Sequence, residues 1–365
     1  MTGLDDDDFA AVDAIVAPSD AALAAQYPGD SGSRQPVHTV YVPADRGTSN
    51  LVREWGSAAL AAVKEHAPGH RDWCSVMRRD MDDLSYVVKP VDRKLKREPI
   101  EDLRIDFEDG YGPRPDDEED AHAASAVAVL AGARVPFCGI RVKSLEAATR
   151  RRGLRTLDLV VGGLIEGGGL PDGWVVTLPK VSAVEQVLGM AEACSRLEAA
   201  HGLAPGRLRF EVQVETPQAV LGADGTSTVA RLVHAGAGRV SGLHYGTYDY
   251  SAALGIPAGQ QSLDHPAADH AKAIMQLAAA GTGVCLSDGS TNVLPVGSRD
   301  DVHAAWRLHA RLVRRSLERG FYQGWDLHPA QLPTRYAATY LFYRDGLESS
   351  ADRVGSWAGC RSQPW

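Results

Sequence analysis

Eight short apolar runs recur along the chain, and the stretches between them have helical character. The runs are HTVYVP (38–43), LRIDF (103–107), CGIRV (138–142), WVVTLP (174–179), RFEVQV (209–214), VSGLHY (240–245), GVCLS (283–287) and YQGWDL (322–327). Segments between or beside them, such as 183–202 and 301–320, carry apolar residues at helical intervals and end near a glycine. Strand and helix in strict alternation predict parallel strands joined by helical crossovers.

The number of units decides between a closed barrel and an open sheet. Eight strand–helix units favour a (β/α)8 TIM barrel, and no GxGxxG motif follows an early run, as a dinucleotide-binding open sheet would require. The longer first interval contains residues 68–102, which we interpret as a helix and loops over one end. We predict an N-terminal helical extension (1–37), a catalytic barrel (38–330) and a short C-terminal helical tail (331–365).

Charge and composition exclude several classes of protein. The net charge of −9 argues against general nucleic-acid binding, and the basic cluster at 150–155 fits a solvated helix face. The acidic N-terminus lacks the features of a signal peptide, and no apolar run approaches the roughly 20 residues that span a bilayer. Five scattered cysteines without a CxxC pair predict reduced thiols. We therefore expect a cytoplasmic protein with small-molecule substrates and no nucleic-acid or membrane partner.

Charged residues follow seven of the eight runs, at the strand ends where barrel active sites lie. They are Asp106, Glu108, Asp109, Arg141, Lys180, Glu215, Asp249, Asp288, Asp326 and His328. So many charges around one barrel mouth repel each other unless a cation neutralises the carboxylates. Oxygen ligands without a His/Cys cluster favour Mg²⁺ or Mn²⁺ over zinc. Any one carboxylate, such as Glu215 in VETPQAV, could instead cap the helix that follows it.

Six motifs together resemble one enzyme family. DFEDGYGP, IRV, LPKV, VETPQAV, GTYDY and the final HP follow the order and spacing of the citrate lyase β-subunit family, within the HpcH/HpaI aldolase superfamily. That superfamily also includes malyl-CoA lyases and malate synthases. The resemblance covers roughly residues 38–330.

The resemblance implies roles for individual residues. It assigns the metal ligands to Glu215 and Asp249, the substrate-carbonyl arginine to Arg141, and the pair that orients metal-bound water to Glu108 and Asp109. Lys180 matches the lysine of the strand-4 motif. Arg46 lies where relatives contact coenzyme A phosphates, although a surface arginine is the commoner explanation.

The resemblance also implies an activity and an assembly. Family members use Mg²⁺ to make or break a bond between the α-carbon of an acyl thioester and an oxo carbon, and they form homo-oligomers, commonly trimers or hexamers. The base that removes the α-proton would be Asp288 or Asp345. We favour Asp288, although an Asp-Gly turn explains that residue equally well.

Three motifs are similar to those of malate synthases, namely DFEDGYGP, GTYDY and GWDLHP. This similarity favours condensation of acetyl-CoA, a coenzyme A thioester, with glyoxylate to give malate. A malyl-CoA or citramalyl-CoA lyase and a CoA-independent 2-oxo acid aldolase are the alternatives. A non-catalytic barrel is disfavoured because Glu215, Asp249 and Arg141 are all present.

Overall fold

The computed structural model describes residues 3–361, with side chains described up to residue 347, and a parallel eight-stranded barrel forms its centre. The strands are β1 (Thr39–Pro43), β2 (Asp102–Asp106), β3 (Phe137–Arg141), β4 (Trp174–Leu178), β5 (Phe210–Val214), β6 (Val240–Tyr245), β7 (Cys285–Ser287) and β8 (Trp325–Asp326). β1 pairs with both β2 and β8. The seam between β7 and β8 closes through the backbone bridge between Ser287 and Gln323. The predicted (β/α)8 barrel is confirmed.

Fourteen α-helices lie within the described residues. They are α1 (Asp6–Gln26), α2 (Leu51–His66), α3 (His70–Met77), α4 (Met81–Ser85), α5 (Val88–Arg97), α6 (Asp116–Gly132), α7 (Arg150–Glu166), α8 (Val184–His201), α9 (Pro217–Val220), α10 (Thr228–Ala235), α11 (Thr247–Ala253), α12 (Pro266–Ala279), α13 (Arg299–Glu318) and α14 (Leu332–Arg361). The segment 68–102, interpreted from sequence as one helix with loops, contains α3, α4 and α5. In it, α3 packs against α13 and α5 packs against α14. No helix in residues 3–361 combines the length and apolarity needed to cross a bilayer.

Alternation along the strands separates an apolar outer layer from a charged barrel interior. Barrel interiors are usually filled by branched aliphatic side chains. In β5, Phe210, Val212 and Val214 belong to the hydrophobic core, whereas the alternate positions are Glu211 and Gln213, followed by Glu215. In β2 the alternate positions are likewise polar: Asp102, Arg104 and Asp106.

Arg104 is the central cation of this interior, with no exposed side-chain surface. It forms an ion pair with Asp102, and its Nη2 donates to both oxygens of Glu211 at 3.1 Å. Its Nε donates to Thr177 at 3.2 Å, and the Nε2 of His244 lies 3.2 Å from Glu211. One guanidinium therefore links β2, β4 and β5 across the barrel.

A second buried network ties the closing strand to the helices around it. The Oδ2 atom of Asp326 lies 2.7 Å from the Nδ1 of His38, and its Oδ1 lies 3.0 Å from the Nε2 of His309 on α13. Arg335 on α14 donates to both oxygens of the same carboxylate. Asp326, a strand-end carboxylate in the sequence, thus joins β8 to α13 and α14.

Candidate active site

Arg141 is a fixed cation at the end of β3. It lies opposite Asp106 in the β2–β3 register, and its Nε and Nη2 donate to the two oxygens of Asp106 at 2.7 and 2.6 Å. Its Nη1 lies 3.5 Å from Glu108. The guanidinium carbon lies 4.9 Å from the ring centre of Tyr41 and 5.8 Å from that of Trp325. A bidentate ion pair and two aromatic rings together restrict the orientation of this side chain.

Lys180 brings four carboxylates together. It follows β4 with a φ of +53°, a backbone conformation that is uncommon for residues other than glycine. Its Nζ donates to Asp109 at 2.8 Å and to Asp249 at 2.6 Å. The same atom lies 3.6 Å from Glu108 and 3.7 Å from Glu215. Carboxylates from the ends of β2 and β5 and from α11 thus surround one ammonium group.

Glu215 lies just beyond β5 and is 1% exposed. Its Oε1 accepts from the backbone N–H of Lys180 at 2.7 Å, and its Oε2 accepts from the side-chain amide of Gln213. The helix cap at this junction is Thr216, whose hydroxyl accepts from the N–H of Ala219 at 3.1 Å. Glu215 therefore faces the charge cluster and does not cap α9.

Gly246, between β6 and α11, allows a close approach to Glu215. A Cβ at this position would lie 2.4 Å from the Cβ of Glu215 and 2.7 Å from its Oε2. Asp249 lies in the first turn of α11, one turn beyond this glycine. The absent side chain thus lets the α11 carboxylate and the β5 carboxylate approach the same ammonium.

Burial and neighbouring charges shift the pKa values of this cluster. Burial, with the nearby charge of Asp249, raises the pKa of Glu215 to about 8. Burial, with the charge of Asp109, raises the pKa of Glu108 to about 7. Although burial disfavours its ammonium, the carboxylates of Glu215 and Glu108 raise the pKa of Lys180. The lysine therefore stays charged, while two of the carboxyl groups titrate near neutral pH.

The comparisons with known proteins identify a family. A family model described as a domain of unknown function, DUF6986, matches residues 16–363. The chain belongs to this family. No curated protein matches it.

Solved structures with the same fold include two kinds of enzyme. The lead(II) complex of Haloferax volcanii malate synthase superposes with a TM-score of 0.55 at 16% identity, over 84% of this chain and 74% of that one. A citrate lyase from Burkholderia xenovorans LB400 gives a TM-score of 0.55 at 20% identity, over 85% and 78%. The magnesium/glyoxylate complex of the Haloferax enzyme gives 0.54 at 15% identity, over 84% and 76%. At these identities the likeness is one of fold.

Three residues to which the sequence of this DUF6986 member gave possible roles, as the base or as a coenzyme A contact, lie apart from the cluster. The Oδ2 of Asp288 accepts from Lys272 on α12 at 3.0 Å and from Ser316 on α13 at 2.6 Å. Asp345, on α14, pairs with Arg79, which follows α3, and with Arg314 on α13. Arg46 is exposed in the turn after β1. The structure brings together Arg141, Glu108, Asp109, Lys180, Glu215 and Asp249, and none of these three.

Four residues that contact the cluster were not assigned a role from the sequence. Asp106 was noted only as one of many strand-end charges, yet it holds Arg141. Gln213 links Arg141 to Glu215. Its Oε1 lies 3.4 Å from the Nη1 of Arg141, and its side-chain amide donates to Glu215. Tyr41 and Trp325 cover the guanidinium. The signal for Gln213 was present as a polar residue at every second position of FEVQVE.

The donor set suits a cation with few protein ligands. No group of three or more His, Cys, Asp or Glu side chains among the described residues is arranged to hold a metal ion. Glu215 and Asp249, which lie 3.7 and 2.6 Å from the Lys180 ammonium, are two oxygen donors from different elements. Mg²⁺ typically takes one or two carboxylates, with water and substrate as its remaining ligands. The residues present therefore fit Mg²⁺ and do not fit a closed zinc site.

Proposed function

We propose that this protein is a Mg²⁺-dependent enzyme that forms or cleaves a carbon–carbon bond between the α-carbon of an acyl-CoA thioester and the carbonyl carbon of a 2-oxo acid. Condensation of acetyl-CoA with glyoxylate, followed by hydrolysis of the malyl thioester by water to give malate and free coenzyme A, is the favoured reaction. The observation that carries the proposal is the cluster at the barrel mouth, in which Lys180 joins four carboxylates beside the fixed cation Arg141. A malate synthase of the same fold has been solved with magnesium and glyoxylate.

Glu215 and Asp249 are the proposed metal ligands. When bound, Mg²⁺ would supply Lewis-acid polarisation of the oxo acid carbonyl. The protein's part is to keep the two carboxylates in place. Gln213 and the backbone N–H of Lys180 orient Glu215, and the first turn of α11 presents Asp249.

Arg141 is the proposed group that stabilises negative charge on the reacting oxygen. Asp106 occupies two of its N–H groups, and Tyr41 and Trp325 lie against the guanidinium. The side chain therefore needs little reorganisation during the reaction, which is the condition under which a preorganised donor contributes most.

Glu108 is the proposed proton acceptor, in preference to Asp288 and Asp345. A general base works best when its pKa lies near the working pH. The pKa of Glu108 is raised to about 7, and the carboxylate lies 3.5 Å from Arg141 and 3.6 Å from the Lys180 ammonium. Asp288 is held by Lys272 and Ser316, and Asp345 by arginines outside the barrel.

The deciding experiment measures release of free coenzyme A with a thiol reagent, using purified protein, acetyl-CoA, glyoxylate and Mg²⁺. Reactions with EDTA or without glyoxylate are the controls, and malate is identified by mass spectrometry. We expect thiol release that depends on both metal and glyoxylate. Glu215→Gln should lower the rate by about a hundredfold or more, as loss of a principal electrostatic group does. Glu185→Gln, an exposed change on α8, should leave it unchanged.

The alternative outcomes separate the candidate reactions. Malyl-CoA cleavage without thiol release would identify a lyase. Cleavage of a free hydroxy acid without coenzyme A would identify an aldolase. Full activity and unchanged Mg²⁺ dependence in Glu215→Gln would contradict the metal assignment.

A further inference from the structure

The N-terminal helix α1 contributes no side chain to the hydrophobic core of the described residues. None of its residues is buried, and Phe9, Val12, Val16 and Leu23 are exposed by 53, 55, 42 and 56%. These four residues repeat at intervals of three, four and seven, which places them on one helix face. In proteins most of the stability of a helix comes from packing of its apolar face, and α1 buries none of its apolar side chains within the described residues. Burial of this apolar stripe against another surface would therefore stabilise α1.

The charge of α1 has one sign. The chain carries no Lys or Arg before Arg34, and the first turn of α1 contains three aspartates capped by Asp5. Helical spacing places Asp13 and Asp20 immediately beside the apolar stripe. A partner surface for this face needs an apolar floor and a basic edge.

A groove between α3, α13 and α14 has that composition. It has a volume of about 650 Å³, and its apolar lining includes Val76, Met77, Leu308 and Leu341. Five arginines also line it: Arg78, Arg79, Arg307, Arg311 and Arg314.

Of these five arginines, two can form an ion pair with a docked partner. Arg79 and Arg314 pair with Asp345, and Arg311 pairs with Asp264. Arg78 and Arg307 make no ion pair with any side chain that the structure describes, up to residue 347.

We propose that α1 of one copy of this chain docks in the α3–α13–α14 groove of a second copy. Phe9, Val12, Val16 and Leu23 lie on the apolar floor, and Asp13 and Asp20 face Arg78 and Arg307. The lengths agree, since the apolar stripe from Phe9 to Leu23 and the groove-lining stretch of α13 from Ala304 to Glu318 each span about 21 Å.

The segment that follows α1 is held against the barrel at Tyr27 and Gly29, so that α1 projects from a defined point. Tyr27 packs edge-on against His234 at 5.5 Å, and the N–H of Gly29 donates to the carbonyl of Gly281 at 2.8 Å. Mutual exchange of α1 between two copies would bury the stripe twice and close the assembly.

Mass measurement by light scattering on the full-length protein tests this docking. We expect a dimer at low ionic strength that weakens as salt screens the charged edge. Asp13→Lys/Asp20→Lys and, separately, Arg78→Glu/Arg307→Glu should each give monomers. A mixture of the two variants should restore a dimer, because each α1 then meets a groove of opposite charge. Leu277→Asp, at another exposed leucine on α12, is the control and should remain dimeric.

Circular dichroism verifies that each variant is folded. A monomeric wild-type protein would overturn the proposal, as would an oligomer that survives both charge reversals or a mixture that fails to reassociate. Since none of these residues contacts the barrel-mouth cluster, the result is independent of whether the proposed activity is found.

Discussion

Glu215 is the residue where burial and charge oppose each other most directly. Its carboxyl is almost completely buried, with Asp249 near the same ammonium, so its pKa is raised to about 8 despite the nearby Lys180 cation. A divalent cation favours the ionised form and must therefore displace a proton from Glu215 at neutral pH.

This competition predicts that metal affinity rises with pH. Below the pKa of about 8, displacement of one proton should tighten Mg²⁺ or Mn²⁺ binding about tenfold per pH unit, and the affinity should level off above it. Calorimetric titration in two buffers of different ionisation enthalpy counts the released proton. Glu185→Gln should behave as the wild type. Affinity that is flat between about pH 6 and pH 8 would refute the role of Glu215.

At the residue scale, sequence predicts which strand ends carry charge but not where each side chain points. Arg141 is the last residue of a buried strand, Lys180 and Glu215 follow buried strands, and the barrel geometry brings all three to one mouth. Asp288 also follows a strand, yet Lys272 on α12 and Ser316 on α13 hold its carboxylate. That contact depends on how two helices pack, which a local sequence pattern does not contain.

At the scale of elements, the junction between β6 and α11 depends on Gly246. Its φ of −97° is accessible to alanine, so a substitution tests the steric contact alone. A Cβ 2.4 Å from that of Glu215 must push the two strand ends apart.

We therefore expect Gly246→Ala to lower kcat/KM by about tenfold or more, because a displacement of about 1 Å at a reacting site has effects of that size. The metal affinity should weaken in parallel. Gly259→Ala is the matched control, since a Cβ there meets no atom within 4 Å. Equal activity of the two variants would show that the close approach at Gly246 is unimportant.

The elements themselves were largely readable from the sequence. All eight apolar runs overlap strands, because alternation and flanking helical segments are local properties. The three helices of 70–97 were harder to predict, since α3 and α5 are stabilised by packing against α13 and α14, far along the chain.

At the scale of the whole molecule, the charged interior joins opposite sides of the barrel. Arg104 contacts Asp102, Thr177 and Glu211 with no exposure to solvent. The alternation in LRIDF and FEVQVE showed polar residues on one face of each strand. Pairing across the barrel could not be predicted from either strand alone.

Arg104→Met should lower the free energy of unfolding by about 3 to 5 kcal/mol, because it leaves two buried carboxylates without their cation. Arg196→Met, which removes an exposed ion pair on α8, should change it by less than about 1 kcal/mol. Denaturant unfolding monitored by circular dichroism compares the two. A similar small change in both variants would mean that the interior tolerates the unpaired carboxylates.

The ammonium of Lys180 bears on whether the protein must bind metal before it can fold. If only a bound metal ion neutralised these carboxylates, their mutual repulsion would destabilise the barrel mouth whenever that ion was scarce. Here a covalently attached cation is always present, at 2.6 to 3.7 Å from all four carboxylates. The barrel can therefore fold and remain stable before its proposed metal ion binds. The supply of that ion would then determine the fraction of molecules that is active, and not the fraction that is folded.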